Sequence, residues 1–102
     1  MKAQFIVYEI QTDGLDIIVD GIVNEGEILL GTLFDSVSRS FVRFDKSVLE
    51  DSNATSVVDL TVARINCYYK EFDSLSCGVS GRLFLKGTGA ENIVPDCVLF
   101  SN

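Results

Sequence analysis

The side chains of this chain that could do chemistry are fifteen carboxylates, three thiols and an adjacent tyrosine pair, Tyr68–Tyr69, set beside Lys70; there is no histidine. Each class carries a geometric requirement. General acid–base catalysis needs two carboxylates converging in a pocket. Here Asp13, Asp16, Asp20 and Glu25 stand near turn signals or alternate with apolar residues, as solvated positions do. A serine or cysteine nucleophile needs a base, and without histidine the Ser-His and Cys-His arrangements are excluded. The thiols Cys67, Cys77 and Cys97 include no C-x-x-C and fall short of the four ligands of a structural zinc site. Their odd number argues against a disulfide framework, and small buried hydrophobes are the identity they favour. The expectation is a protein without catalytic residues, metal or cofactor.

What remains is contact chemistry. Six acids (Glu9, Asp13, Asp16, Asp20, Glu25 and Glu27) follow one another with no Lys or Arg between them. They belong to a chain of net charge −7, in which residues 1–51 hold ten acids and four basic groups, and residues 52–102 five and four. Phosphate neutralisation by Lys and Arg supplies most non-specific nucleic-acid affinity, so this balance is a poor basis for binding RNA or anionic lipid. Two readings of the acids stand: solvation of a small domain, or an acidic face that meets a basic partner. In a regular strand Tyr68 and Tyr69 face opposite sides, which puts one of them outward. An outward Tyr69 beside Lys70, with Arg43 and Lys46, makes an interaction patch; core packing is the other account of the aromatic residues.

The elements that must position these groups read as strands almost throughout. AQFIVYEI is apolar on both parities, LDIIVDGIVN is a second β-rich run, and Asn24-Glu25-Gly26 is a tight hairpin signal before GEILLGTLF. SFVRFDKSV is a shorter candidate strand. VVDLTVARINCYYK, residues 57–70, is the longest run. Its apolar residues change parity between Val62 and Ile65, which predicts a bulge near Arg64. GVSGRLFLKG and VPDCVLFSN close the chain, the only proline standing before the last strand. Asp45 caps a short helical turn over 45–53, within the 35–56 stretch. Several short strands punctuated by glycine predict an all-β fold, a small closed antiparallel barrel forming a single domain over residues 1–102. No apolar run reaches the ~20 residues of a membrane helix. With no signal-peptide pattern at Met1, the expected location is cytoplasmic.

The glycines sharpen that reading. Gly21, Gly26 and Gly31 stand five residues apart with Val23 and Ile28 between them. The block resembles G-x-V-x-x-G-x-I-x-x-G of the second domain of translational GTPases such as elongation factor Tu. CGVSGRLFLKG resembles the family's A-G-x-x-x-x-L-x-L-[RK]-G, with Gly78 and Gly87 in place, and Ile93, Val98 and Leu99 are similar to its I-x-x-G-x-V-L ending. The resemblance runs from about Phe5 to Phe100 and implies that family's β-barrel, standing alone. Two departures matter. Asp96 replaces the last glycine, which predicts a differently built turn, and Gly81 falls one place early, leaving Arg82 beside Leu83. No G-x-x-x-x-G-K-[ST] is present to cradle phosphates.

The function expected is a non-enzymatic binding module that recognises a protein through the acidic surface of 9–27 or through the 35–56 stretch. One form of it is an inhibitor or immunity-type protein covering a basic site. The contact residues expected are Asp13, Asp16, Asp20, Glu25, Glu27, Arg43, Lys46 and Tyr69. The alternative, implied by the family, whose domain contacts the aminoacyl end of tRNA or the ribosome, is an RNA- or ribosome-associated protein. It requires the basic residues to gather on one face. Self-association through a strand edge is a third possibility.

Overall fold

The structure is a computed structural model that describes residues 3–13, 16–38 and 55–101. Its strands are β1 (Ala3–Asp13), β2 (Asp16–Glu25), β3 (Glu27–Leu29), β4 (Leu33–Ser38), β5 (Thr55–Cys67), β6 (Lys70–Phe72), β7 (Ser74–Ser76), β8 (Ser80–Thr88) and β9 (Val98–Ser101), with one 3-10 turn at Ala90–Asn92. Period-two alternation drives them. In β2, Ile17, Val19 and Val23 turn inward while Asp16, Asp20 and Asn24 take the other parity.

Six strands close a barrel in the order β4-β9-β1-β2-β8-β5, with β5 pairing back to β4. All of these pairings are antiparallel. The all-β closed barrel expected from the sequence is the fold observed. Its interior is one apolar cluster that includes Phe5, Val7, Val19, Phe34, Leu60, Leu83, Leu85 and Leu99. Burying each such side chain stabilises the fold by about 1.5–3 kcal/mol, before chain entropy is set against it.

Several local features depart from regular strands, with register shifts also at Gln4/Phe5 and at Phe34/Ser36. The bulge expected near Arg64 is present: Val62 pairs with Leu85 and Arg64 with Phe84, leaving Ala63 as the extra residue. Another bulge, unforeseen, lies in β1, where Val7 pairs with Gly21 and Glu9 with Asp20, leaving Tyr8 over. The hairpin expected at Asn24-Glu25-Gly26 does not form. Gly26 turns the chain with φ 74°, but β3 leaves β2 and pairs with β7 instead. That two-stranded ribbon sends Ile28 and Leu75 into the core. Burial of those two side chains outweighs the local preference for a hairpin.

The turn at Asp96 is also instructive. Asp96 takes φ 72°, in the left-handed region that glycine favours, so aspartate adopts a glycine-like conformation rather than rebuilding the turn. Asp96 N–H donates to Val7 O at 2.7 Å and Val7 N–H to Cys97 O at 2.9 Å, tying this turn to the centre of β1. The helical turn expected over 45–53 and the short strand at SFVRFDKSV lie outside the described residues.

Candidate interaction surface

The site is best built from β8. Arg82, Phe84 and Lys86 alternate with buried Leu83 and Leu85, so all three point outward from the barrel. Asp20 of β2 is the direct cross-strand partner of Arg82. Its carboxylate accepts two hydrogen bonds, from Arg82 Nε at 2.7 Å and Nη2 at 3.0 Å, the bidentate fork that guanidinium geometry favours. The hydrogen bond to Asp20 and the charge of that carboxylate hold the Arg82 pKa above the ordinary arginine value, with Glu9 and Tyr69 adding smaller contributions. On the other side of β8, Arg64 of β5 lies over the Phe84 ring, 4.7 Å from its centroid, and donates to Glu71 Oε1 at 2.7 Å.

Tyr68 and Tyr69 end β5 in an unexpected way. They are not strand residues facing opposite sides. They are the two central residues of a tight turn in which Cys67 pairs with Lys70. Their φ angles are 52° and 65°, positive at both positions as a type I′ turn requires. Asn-Gly is the usual occupant of such turns, and a bulky residue there is an outlier. Both side chains point to solvent, Tyr68 87% and Tyr69 100% exposed.

These pieces meet. Tyr68, Tyr69, Asn66, Arg82 and Asp20, together with Tyr8 from the β1 bulge, line one open groove of about 470 Å³. Tyr8 is 45% exposed there. Gly21 and Gly81 face each other across the β2–β8 ladder beneath it.

Among the described residues, Asp16, Glu25 and Glu27 do not line the groove with Tyr69. Asp13 closes β1 opposite Asp16, and Asp16 begins β2 while Glu25 ends it, a separation of about 30 Å along an extended strand. Glu25 accepts a hydrogen bond from Gln4 Nε2 at 2.9 Å. Glu27 sits on β3, beside a second, smaller groove of about 330 Å³ with Leu33 and Asp35. The acids are strung along the barrel, and Asp20 is occupied by Arg82. Arg43 and Lys46 lie outside the described residues. Tyr8 and Asn66 were missed by sequence reasoning, and Arg82 was read only as one of the basic residues that the RNA-associated alternative requires. The displaced Gly81 marked the neighbourhood of Arg82, but nothing local marked its partner 62 residues away.

Among the described residues, no group of three or more His, Cys, Asp or Glu is placed to hold a metal ion, and no helix is long and apolar enough to cross a membrane. Cys67 and Cys97 are buried, but Cys77 is exposed, correcting the expectation that all three pack in the core. Cys77 lies on the turn before β8, with its Sγ 3.4 Å from Asn24 O.

No protein-family model matches the chain, and no curated protein does. Solved structures do. The chain is similar to translation elongation factor SelB from Methanococcus maripaludis in its apo form, with a TM-score of 0.71 and 14% identity. It is similar to the same factor in complex with the GTP analogue GppNHp, with a TM-score of 0.70 and 14% identity. Each match covers 100% of this chain and 19% of the SelB chain. At that identity the likeness is one of fold: this is a closed six-stranded barrel of the kind that translation factors carry as a domain.

Proposed function

We propose that this chain is a cytoplasmic, non-enzymatic binding module whose contact surface is the tyrosine groove, and that its partner is a protein with a basic surface. The observation that carries the reading is the Tyr68–Tyr69 turn, where two large aromatic side chains are held fully outward on left-handed backbone. Each such residue costs about 1–3 kcal/mol and persists where the surrounding structure enforces it, most often at functional sites. Tyrosine is enriched among residues that dominate interface energies, and with two side-chain torsions it loses little entropy on contact. The acids supply steering. Glu9 flanks the groove opposite Asp20, and a net charge of −7 draws in a basic protein at rates that fall with salt. An inhibitor or immunity-type protein covering a basic site works in this way.

A second reading is favoured by one observation. Arg64, Arg82 and Lys86 lie together on the outer face of β5 and β8 around Phe84, a grouping that suits an RNA- or ribosome-associated protein. Against it, Asp20 and Glu71 already engage two of the three cations.

The deciding experiment is capture from host lysate by the wild-type chain and by Tyr69→Ala, at low and moderate salt, with and without nuclease. The expected result is a protein that survives nuclease, weakens with salt and is lost with Tyr69→Ala. RNA that co-purifies and disappears on nuclease treatment establishes the second reading instead.

A further inference from the structure

We infer that the tyrosine groove takes a proline-rich segment in the polyproline II conformation, carrying a basic residue that sits against Glu9. The inference rests on the groove being a protein-contact surface, and it adds the chemistry of the segment that fills it.

Topology closes the floor of the groove to strand addition. Strand addition needs an open sheet edge with unpaired backbone groups. The floor of the groove is β2, β8 and the end of β5, and within the barrel order β8 is paired on one side with β2 and on the other with β5. Among the described residues, the part of β8 that floors the groove has no free ladder to receive a strand. An amphipathic helix needs a groove lined by aliphatic side chains, whereas the apolar surface here is mainly that of tyrosine rings, with hydroxyl, amide and guanidinium groups among them.

What the groove offers is aromatic faces and hydrogen-bond donors. Tyr8, Tyr68 and Tyr69 present rings with donor hydroxyls, and Asn66, Ser80 and Arg82 add further donors. A polyproline II segment is the complement. Proline lacks an N–H, the helix has no internal hydrogen bonds, and its carbonyls are left to accept from outside. Its pyrrolidine rings pack against aromatic side chains in grooves of this kind. The segment is also stiff before it binds, so little entropy is lost on docking to an exposed surface. Charge sets the flank. Arg82 is matched by Asp20, which leaves Glu9, across the ladder from Asp20, as the acid available to a Lys or Arg of the segment.

The test titrates the full chain with three probes: a ten-residue proline-rich peptide ending in arginine, the same peptide with its prolines replaced by alanine, and a decauridylate. The readouts are amide chemical shifts and tyrosine fluorescence, which is uncluttered because the chain has no tryptophan. The proline peptide is expected to shift resonances around Tyr8, Tyr68 and Arg82, and to bind at least about tenfold more tightly than the alanine peptide. Tyr68→Asn combined with Tyr69→Gly, which suits the turn and preserves the fold, abolishes that preference. Glu9→Gln weakens the arginine-bearing peptide but not a version ending in glutamine. Equal binding of both peptides, or shifts at the tyrosines from decauridylate alone, overturns the inference. No peptide binding, with Tyr69-dependent capture of a protein from lysate intact, overturns it while leaving the proposed function standing.

Discussion

Gly21 and Gly81 are direct partners across the β2–β8 ladder, and a methyl group at either position meets a different kind of obstacle. At Gly21 it runs into the backbone carbonyl of Ile6, which belongs to the neighbouring strand and cannot yield without distorting the barrel. At Gly81 it meets the tip of Leu75 at 2.7 Å and Asn66 O at 3.2 Å. Gly21→Ala is therefore expected to cost about 3 kcal/mol or more, and Gly81→Ala about 1 kcal/mol, as Leu75 changes rotamer. Urea denaturation of the two variants checks the ranking, and equal losses would contradict it.

The tyrosine turn predicts a trade-off between stability and binding. Replacing Tyr68 by Asn and Tyr69 by Gly puts the preferred residues on the observed positive φ angles. The double variant is expected to be about 1–2 kcal/mol more stable than the natural chain, with a higher Tm. If the tyrosine groove is the contact surface proposed above, the same variant no longer captures a protein from lysate. A variant that is less stable would mean that the tyrosine rings hold the fold together.

Asp96 tests the turn before β9. Its φ of 72° suits Gly and Asn and excludes β-branched residues. Asp96→Val is expected to cost about 1–3 kcal/mol more than Asp96→Asn. Thermal unfolding of both distinguishes backbone strain from any need for the charge.

The Asp20–Arg82 pair is partly exposed, so its geometry promises more than it delivers. Asp20→Asn is expected to cost under about 1 kcal/mol and less at high salt. The sign of its pH dependence follows from the upward shift of the Arg82 pKa. A raised basic group contributes fully below its unfolded-state value and loses that contribution only as pH rises through the folded one. For arginine that window lies in strong alkali. Arg82 is thus expected to leave stability flat between about pH 6 and 9.

Thiol accessibility gives a direct check on the fold. In the native protein Cys77 is expected to react with an aromatic disulfide reagent, while Cys67 and Cys97 react only after denaturation. Rapid reaction of Cys97, which touches no solvent in the closed barrel, would contradict the packing of β9.

The sequence by itself determined the barrel. Alternation in β2 and β8, the parity change between Val62 and Ile65, and the glycine spacing are local signals, because a strand's two faces and a bulge's extra residue are written in neighbouring positions. Tertiary structure decided the rest. Whether β3 would continue a hairpin or pair with β7 depended on core space for Ile28 and Leu75, which no neighbouring residue encodes. That one of the two tyrosines faces outward was legible, but the setting was not, because the turn that lifts both of them outward follows from the register of β6 on β5. Asp20 read as one acid among six, and it became the partner of Arg82 only when barrel closure set β2 against β8. The groove is made of residues from β1, β2, β5, its turn and β8. Its chemistry comes from side chains brought together by long-range strand pairing, and such proximity is a property of the closed sheet rather than of any one stretch of chain.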